Sequence, residues 1–155
     1  MKATGLRGLL AVMVMASPLA AMAQQVGTGA VSLAGPGAGA SEDFNTLASA
    51  QGTTSSALPA GWYFLESTNA NSGTYLVDDG TLPSGNTYSY GASGSSERAL
   101  GALGSGSVVT TLGAQLSNGS GATLNELAIS FFVEQWRLGD LNGADSLRFE
   151  YSTDA

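Results

Sequence analysis

Carboxylates are the main chemistry this sequence offers: it has twelve acidic residues, no histidine and no cysteine. Those two absences exclude a Ser-His-Asp triad, a thiolate nucleophile and any zinc site built from imidazole or thiolate. Its only lysine is Lys2, so no Schiff-base or phosphate-loop lysine exists further along. A glycosidase pair needs two carboxyls about 5–10 Å apart. Glu126 and Glu134 fall on one side of an extended segment, but eight residues separate them by about 26 Å. That pair is excluded, while a pair across strands, such as Glu134 with Glu150, stays open. No catalytic residue is assigned, and these 155 residues are expected to be non-enzymatic.

Metal binding is the second chemistry to weigh. Asp78-Asp79-Gly80 is one acidic loop, and Asp140, Asn142 and Asp145 lie within six residues in another. Calcium takes six to eight oxygens from such side chains and from carbonyls. The second loop is therefore a candidate calcium site, though it lacks the glycine and closing glutamate of an EF-hand. Asn142-Gly143 is also a favoured hairpin turn, and aspartate is a turn residue. Both readings stand, and no cofactor other than calcium is expected.

Aromatic residues supply the third. Trp62, Tyr88, Tyr90, Phe132, Trp136 and Tyr151 could stack on sugar rings, although aromatics at period two commonly fill a core. Phe131 and Phe132 are adjacent and must face opposite ways in a strand. Phe132, Glu134 and Trp136 thus form a second, partly polar face, which is the candidate ligand surface. Plain packing between two sheets is its alternative. Arg98 and Arg137 are expected to pair with carboxylates, with Glu97, Glu134 and Asp145 in reach. A two-residue turn at Asn142-Gly143 would set Arg137 opposite Arg148, an unfavourable juxtaposition, so a longer loop is expected there.

The elements that must position these residues read as strands. Short apolar alternations are separated by Gly, Asn, Ser and Pro, with no helical period. Residues 62–67 follow the turn Leu58-Pro59-Ala60-Gly61, and residues 87–90 follow Pro83-Ser84-Gly85-Asn86. Val108, Thr110, Leu112, Ala114 and Leu116 alternate along one long strand. Leu127, Ile129, Phe131 and Val133 form the best apolar face, and Leu147, Phe149 and Tyr151 alternate with Arg148, Glu150 and Ser152. The pattern predicts an all-β fold, an antiparallel sandwich or jelly roll, with Leu112, Ile129, Phe131, Val133 and Phe149 in its core. Alternation still runs at Phe149-Glu150-Tyr151, shortly before Ala155, which reads as a sandwich left incomplete at its C-terminus. Such a chain is expected to be marginally stable and to self-associate, more so as salt screens its charge.

The N-terminus reads as an export signal. Lys2 and Arg7 precede an apolar run over residues 9–19, and Ala21-Met22-Ala23 offers small residues for cleavage. With neither a following cysteine nor a twin arginine, residues 1–23 indicate the general secretion route and a secreted or cell-surface protein starting at Gln24. The run is too short to span a bilayer, which takes about 20 residues, so no membrane span is expected after cleavage. Residues 24–40 read as a flexible, low-complexity lead-in to a module over residues 41–155. Beyond residue 23 the chain holds three arginines against twelve acidic residues, a formal charge of −9. Such a chain should bind neither nucleic acid nor an anionic membrane surface. Without cysteine, no disulfide contributes to stability.

Phe44-Asn45-Thr46-Leu47, the Leu58-to-Trp62 turn, Thr87-Tyr88-Ser89-Tyr90-Gly91 and Glu97-Arg98-Ala99-Leu100-Gly101 occur in a distinctive order. Residues 127–131, Glu134-Gln135-Trp136-Arg137 and residues 147–152 continue it. Together, over about residues 43–155, they resemble roughly the first half of an N-terminal β-sandwich module of large secreted bacterial proteins. These include extracellular endonucleases with lamin-tail domains and surface proteins carrying a PEP-CTERM sorting tail. The resemblance implies an extracellular module without an assigned activity, and no nuclease catalytic motif maps onto it. Two functions follow as expectations. One is a non-catalytic module contacting an extracellular polysaccharide or surface component. The other is the leader region of a secreted endonuclease whose catalytic domain lies beyond residue 155.

Overall fold

A computed structural model describes residues 25–67, 73–138 and 146–153, together with the backbone of Leu10–Ala11. The described residues are all-β and contain no helix. None therefore forms a helix long and apolar enough to cross a membrane. Nine strands follow in order: β1 Leu10–Ala11, β2 Val26–Gly27, β3 Val31–Leu33, β4 Thr54–Ser55, β5 Trp62–Glu66, β6 Tyr75–Asp78, β7 Asn86–Tyr90, β8 Ala99–Leu103 and β9 Thr110–Asn118.

They form two sheets. One runs β1-β9-β5-β2 with β3 also on β9, and the other runs β4-β6-β7-β8. The first is built on β5 and β9, whose antiparallel register sets Phe64 opposite Leu112 and Glu66 opposite Thr110. The Leu58-Pro59-Ala60-Gly61 turn delivers β5, with the Trp62 amide donating to the Pro59 carbonyl at 3.0 Å. Gly61 has a φ of 84°, and a Cβ there would run into the Val31 backbone. Only glycine serves where the turn passes this close to β3.

The core lies between the sheets. Phe64 and the half-buried Leu112 come from the first, Tyr75 and Val77 from the second, with Val26 and Leu47 completing it. Buried aromatics dominate such energetics, and a buried phenol requires polar partners. Tyr75 has them: its hydroxyl accepts from the Ala48 amide at 3.0 Å and donates to the Ala57 carbonyl at 2.9 Å. Phe44, at a φ of 60°, turns the chain so that its ring meets Trp62 edge-on at 4.7 Å.

Several expectations are corrected. The sheets are mixed, since β3–β9 and β6–β7 are parallel. The segment read as a flexible lead-in contributes β2 and β3, because its short strands find partners in β5 and β9. Of the predicted core, Leu112 packs against the buried cluster, whereas Ile129, Phe131, Val133 and Phe149 are all at least half exposed. The alternations over residues 127–133 and 147–151 are real, but neither segment belongs to a described strand. Period two selects a side for each residue; only hydrogen bonds to a neighbour make a strand.

Candidate functional site

The site is assembled on the outer side of the second sheet. Along β7 the inward residues are Thr87 and Ser89. Thr87 reaches across the sandwich: its amide and hydroxyl donate to Glu66 Oε1 at 2.8 and 2.7 Å. The alternate residues, Tyr88 and Tyr90, therefore face outward, yet both are buried. Their rings stack with centroids 4.8 Å apart and planes 22° apart. Tyr90 in turn stacks on Trp136 at 6.1 Å with planes only 6° apart. Three rings thus run from the sheet out to the candidate surface. Burial raises both phenol pKa values, and the neighbouring Asp78 carboxyl adds to the effect in each.

The loop between β6 and β7 holds Trp136 in place. Residues 79–85 return the chain so that β7 runs parallel to β6, a connection shorter than the dozen or more residues usual for parallel strands. Asp78 organises it, its Oδ2 accepting from the Gly80 and Leu82 amides at 2.8 and 3.1 Å. Asp79 Oδ1 accepts from the Thr81 amide and hydroxyl. The Asp78-Asp79-Gly80 carboxylates are thus used as turn formers. Gly80 has a φ of 90°, and the backbone of Trp136 fills the space a Cβ would take. Arg137 Nη1 clasps the same loop through the carbonyls of Gly80 (3.4 Å) and Thr81 (3.0 Å).

On this platform the three predicted residues separate. Trp136 is half-buried, and its indole Nε1 donates to Glu134 Oε2 at 2.8 Å. Glu134 is exposed, and Phe132 is fully exposed. The period-two reading thus brings Glu134 and Trp136 into contact and leaves Phe132 projecting into solvent. Asp140, Asn142 and Asp145 lie outside the described residues. Among the described residues no group of three acidic side chains could hold a metal.

Among the described residues the expected arginine partners are corrected, while Asp145 lies outside them. Arg137 bonds the carbonyls of Gly80 and Thr81, and Glu134 is engaged by the indole instead. Arg98, only 1% exposed, donates through Nε to Ser89 Oγ at 2.9 Å and through Nη2 to the carbonyls of Ser89 and Asp78. Its Nη1 and Glu66 Oε2 are buried without hydrogen-bond partners. Desolvation lowers the Arg98 pKa from its usual value, with Glu97 opposing that shift. Sequence reading missed Glu66 as an interior residue, although it shares the period-two side of Trp62 and Phe64. A shallow depression bordered by Val26, Thr28, Ser56 and Leu58 carries no titratable side chain among its described lining residues.

These features define an all-β, sandwich-like domain bearing an aromatic platform beside a carboxylate. Comparison with models of known protein families, with curated proteins and with solved structures yields no match.

Proposed function

We propose that this chain is a secreted, non-catalytic β-sandwich module of a larger extracellular or cell-surface bacterial protein, contacting a polysaccharide through Trp136, Glu134 and Phe132. The observation that carries the reading is the fixed indole: Trp136 is stacked on Tyr90 while its Nε1 is held by Glu134. A rigid aromatic plane offers a surface for the C–H face of a sugar at little entropic cost, because its rotamer is already chosen. Glu134 keeps Oε1 to accept from a sugar hydroxyl, and such charge-assisted bonds are the stronger ones. Phe132 extends the apolar surface. The lack of histidine and cysteine supports a contact role over a catalytic one.

The test is titration calorimetry of the exported protein against a panel of soluble polysaccharides. At least one should bind. Trp136→Ala should abolish that binding, and Glu134→Gln should weaken it about tenfold. Binding that survives Trp136→Ala, or no binding across the panel, overturns the reading. N-terminal sequencing of the same protein should begin at Gln24.

A further inference from the structure

Charge is distributed unevenly around Trp136. Glu134 is exposed, and the indole holds its Oε2 while Oε1 faces solvent. Asp79, on the loop that seats Trp136, is partly exposed and accepts from Thr81 through Oδ1. The cations are committed elsewhere. Arg98 is 1% exposed, its guanidinium turned onto Ser89 and the Asp78 carbonyl. Arg137 clasps the Gly80 and Thr81 carbonyls through Nη1. Arg148 is paired with Glu150 at 2.8 Å. These are the three arginines beyond residue 23, where no lysine occurs and twelve acidic residues give a formal charge of −9.

A uronate or sulfate group stacked on Trp136 would bring like charge against Glu134, inside a field that is already negative. An ammonium gains twice at the same place. The face of an aromatic ring attracts a cation through its quadrupole, and tryptophan does so best. Glu134 Oε1 can also accept from N–H of an ammonium, a bond with charge on both partners. A neutral sugar gains neither the ring attraction nor the long-range one. Resting on the polysaccharide-contact reading above, we infer that the ligand is a polysaccharide with free amino groups, one ammonium seated against Glu134 Oε1 and the Trp136 ring.

Titration calorimetry of the exported protein compares oligosaccharides of equal length: β-linked glucosamine, its fully N-acetylated counterpart and galacturonate, at a pH where the amine is charged. The amino oligomer should bind about tenfold tighter than the acetylated one, with no binding of galacturonate. Glu134→Gln should bring the amino and acetylated oligomers to equal affinity, and Trp136→Ala should abolish the binding of both. Added salt should weaken the amino oligomer alone. Glu134 is exposed, so circular dichroism should show the fold of Glu134→Gln unchanged. Equal or tighter Trp136-dependent binding of the acetylated or galacturonate oligomer, or a preference that survives Glu134→Gln, overturns the inference and leaves the contact reading standing. So does another polysaccharide that binds through Trp136 while the amino oligomer does not. Oligolysine binding with the same dependence on Trp136 and Glu134 would make the occupant a basic peptide and overturn it too. Binding of the amino oligomer that survives Trp136→Ala is diffuse attraction to an acidic chain and overturns both readings.

Discussion

The backbone of Trp136 sits where a side chain on residue 80 would have to be, so Gly80 and Trp136 are docked backbone to backbone. Gly80→Ala sets a methyl group against the Trp136 carbonyl at a φ unfavourable for alanine. Lifting the 134–138 segment off the loop should uncover the indole. In a Trp62→Phe background, leaving one indole, Gly80→Ala should red-shift the fluorescence and increase acrylamide quenching. An unchanged spectrum would show that Gly80 does not hold Trp136.

Glu66 joins the two sheets through Thr87. Glu66→Ala removes the acceptor that the Thr87 amide and hydroxyl share, leaves the amide to Asn86 Oδ1 alone and opens a cavity, with an expected loss of about 2–4 kcal/mol. Glu66→Gln keeps an acceptor for Thr87 and should cost less. Urea denaturation of both variants gives the order directly, and equal losses would contradict the bridging role.

Arg98 is a buried cation whose described hydrogen bonds go to carbonyls, hydroxyls and no carboxylate. Replacing a buried charge by an apolar side chain of similar length is often neutral or stabilising, whereas simple truncation leaves a hole. Arg98→Met should unfold at the same or a higher urea concentration than the parent chain. Arg98→Ala should lose about 2–5 kcal/mol.

The raised phenol pKa values of Tyr88 and Tyr90 give a pH dependence of definite sign. The fold holds these phenols protonated, while the unfolded chain ionises them near the ordinary value of about 10. Their contribution is therefore fully present below about pH 10 and is lost as pH rises through the folded values. Denaturation at pH 8 and pH 11 should show a steeper fall for the parent chain than for Tyr90→Phe.

Strands β5, β7 and β9 were legible because period-two alternation follows clear turn signals and each strand has partners to pair with. Residues 127–133 alternate just as well, yet they form no described strand. Alternation says which way a side chain would face; a neighbour's hydrogen-bonding groups lie elsewhere in the sequence. Strands β2 and β3 show the converse, weak segments recruited by the edges of β5 and β9. Buried Glu66 and Arg98 ran against the expectation that charge stays outside. At the site, spacing placed Glu134 beside Trp136, but the ring stack on Tyr90 and the seat at Gly80 depend on folding over some fifty residues of sequence, beyond the reach of a local pattern.

The β6–β7 loop has a consequence for where this domain can accept foreign sequence. Surface loops ordinarily take insertions at small entropic cost. This one has its amides held by Asp78 and two carbonyls held by Arg137, and it must close a parallel connection of only seven residues. One added residue would break those bonds or move β7 against β6. The turn before β8 carries no such duties: Ala92, Ser93 and Gly94 are exposed, and the 2.9 Å bond from the Ser95 amide to the Ala92 carbonyl closes it locally. An epitope tag or reporter peptide spliced between Ser93 and Gly94 should leave the domain folded, whereas the same graft at Thr81 should not.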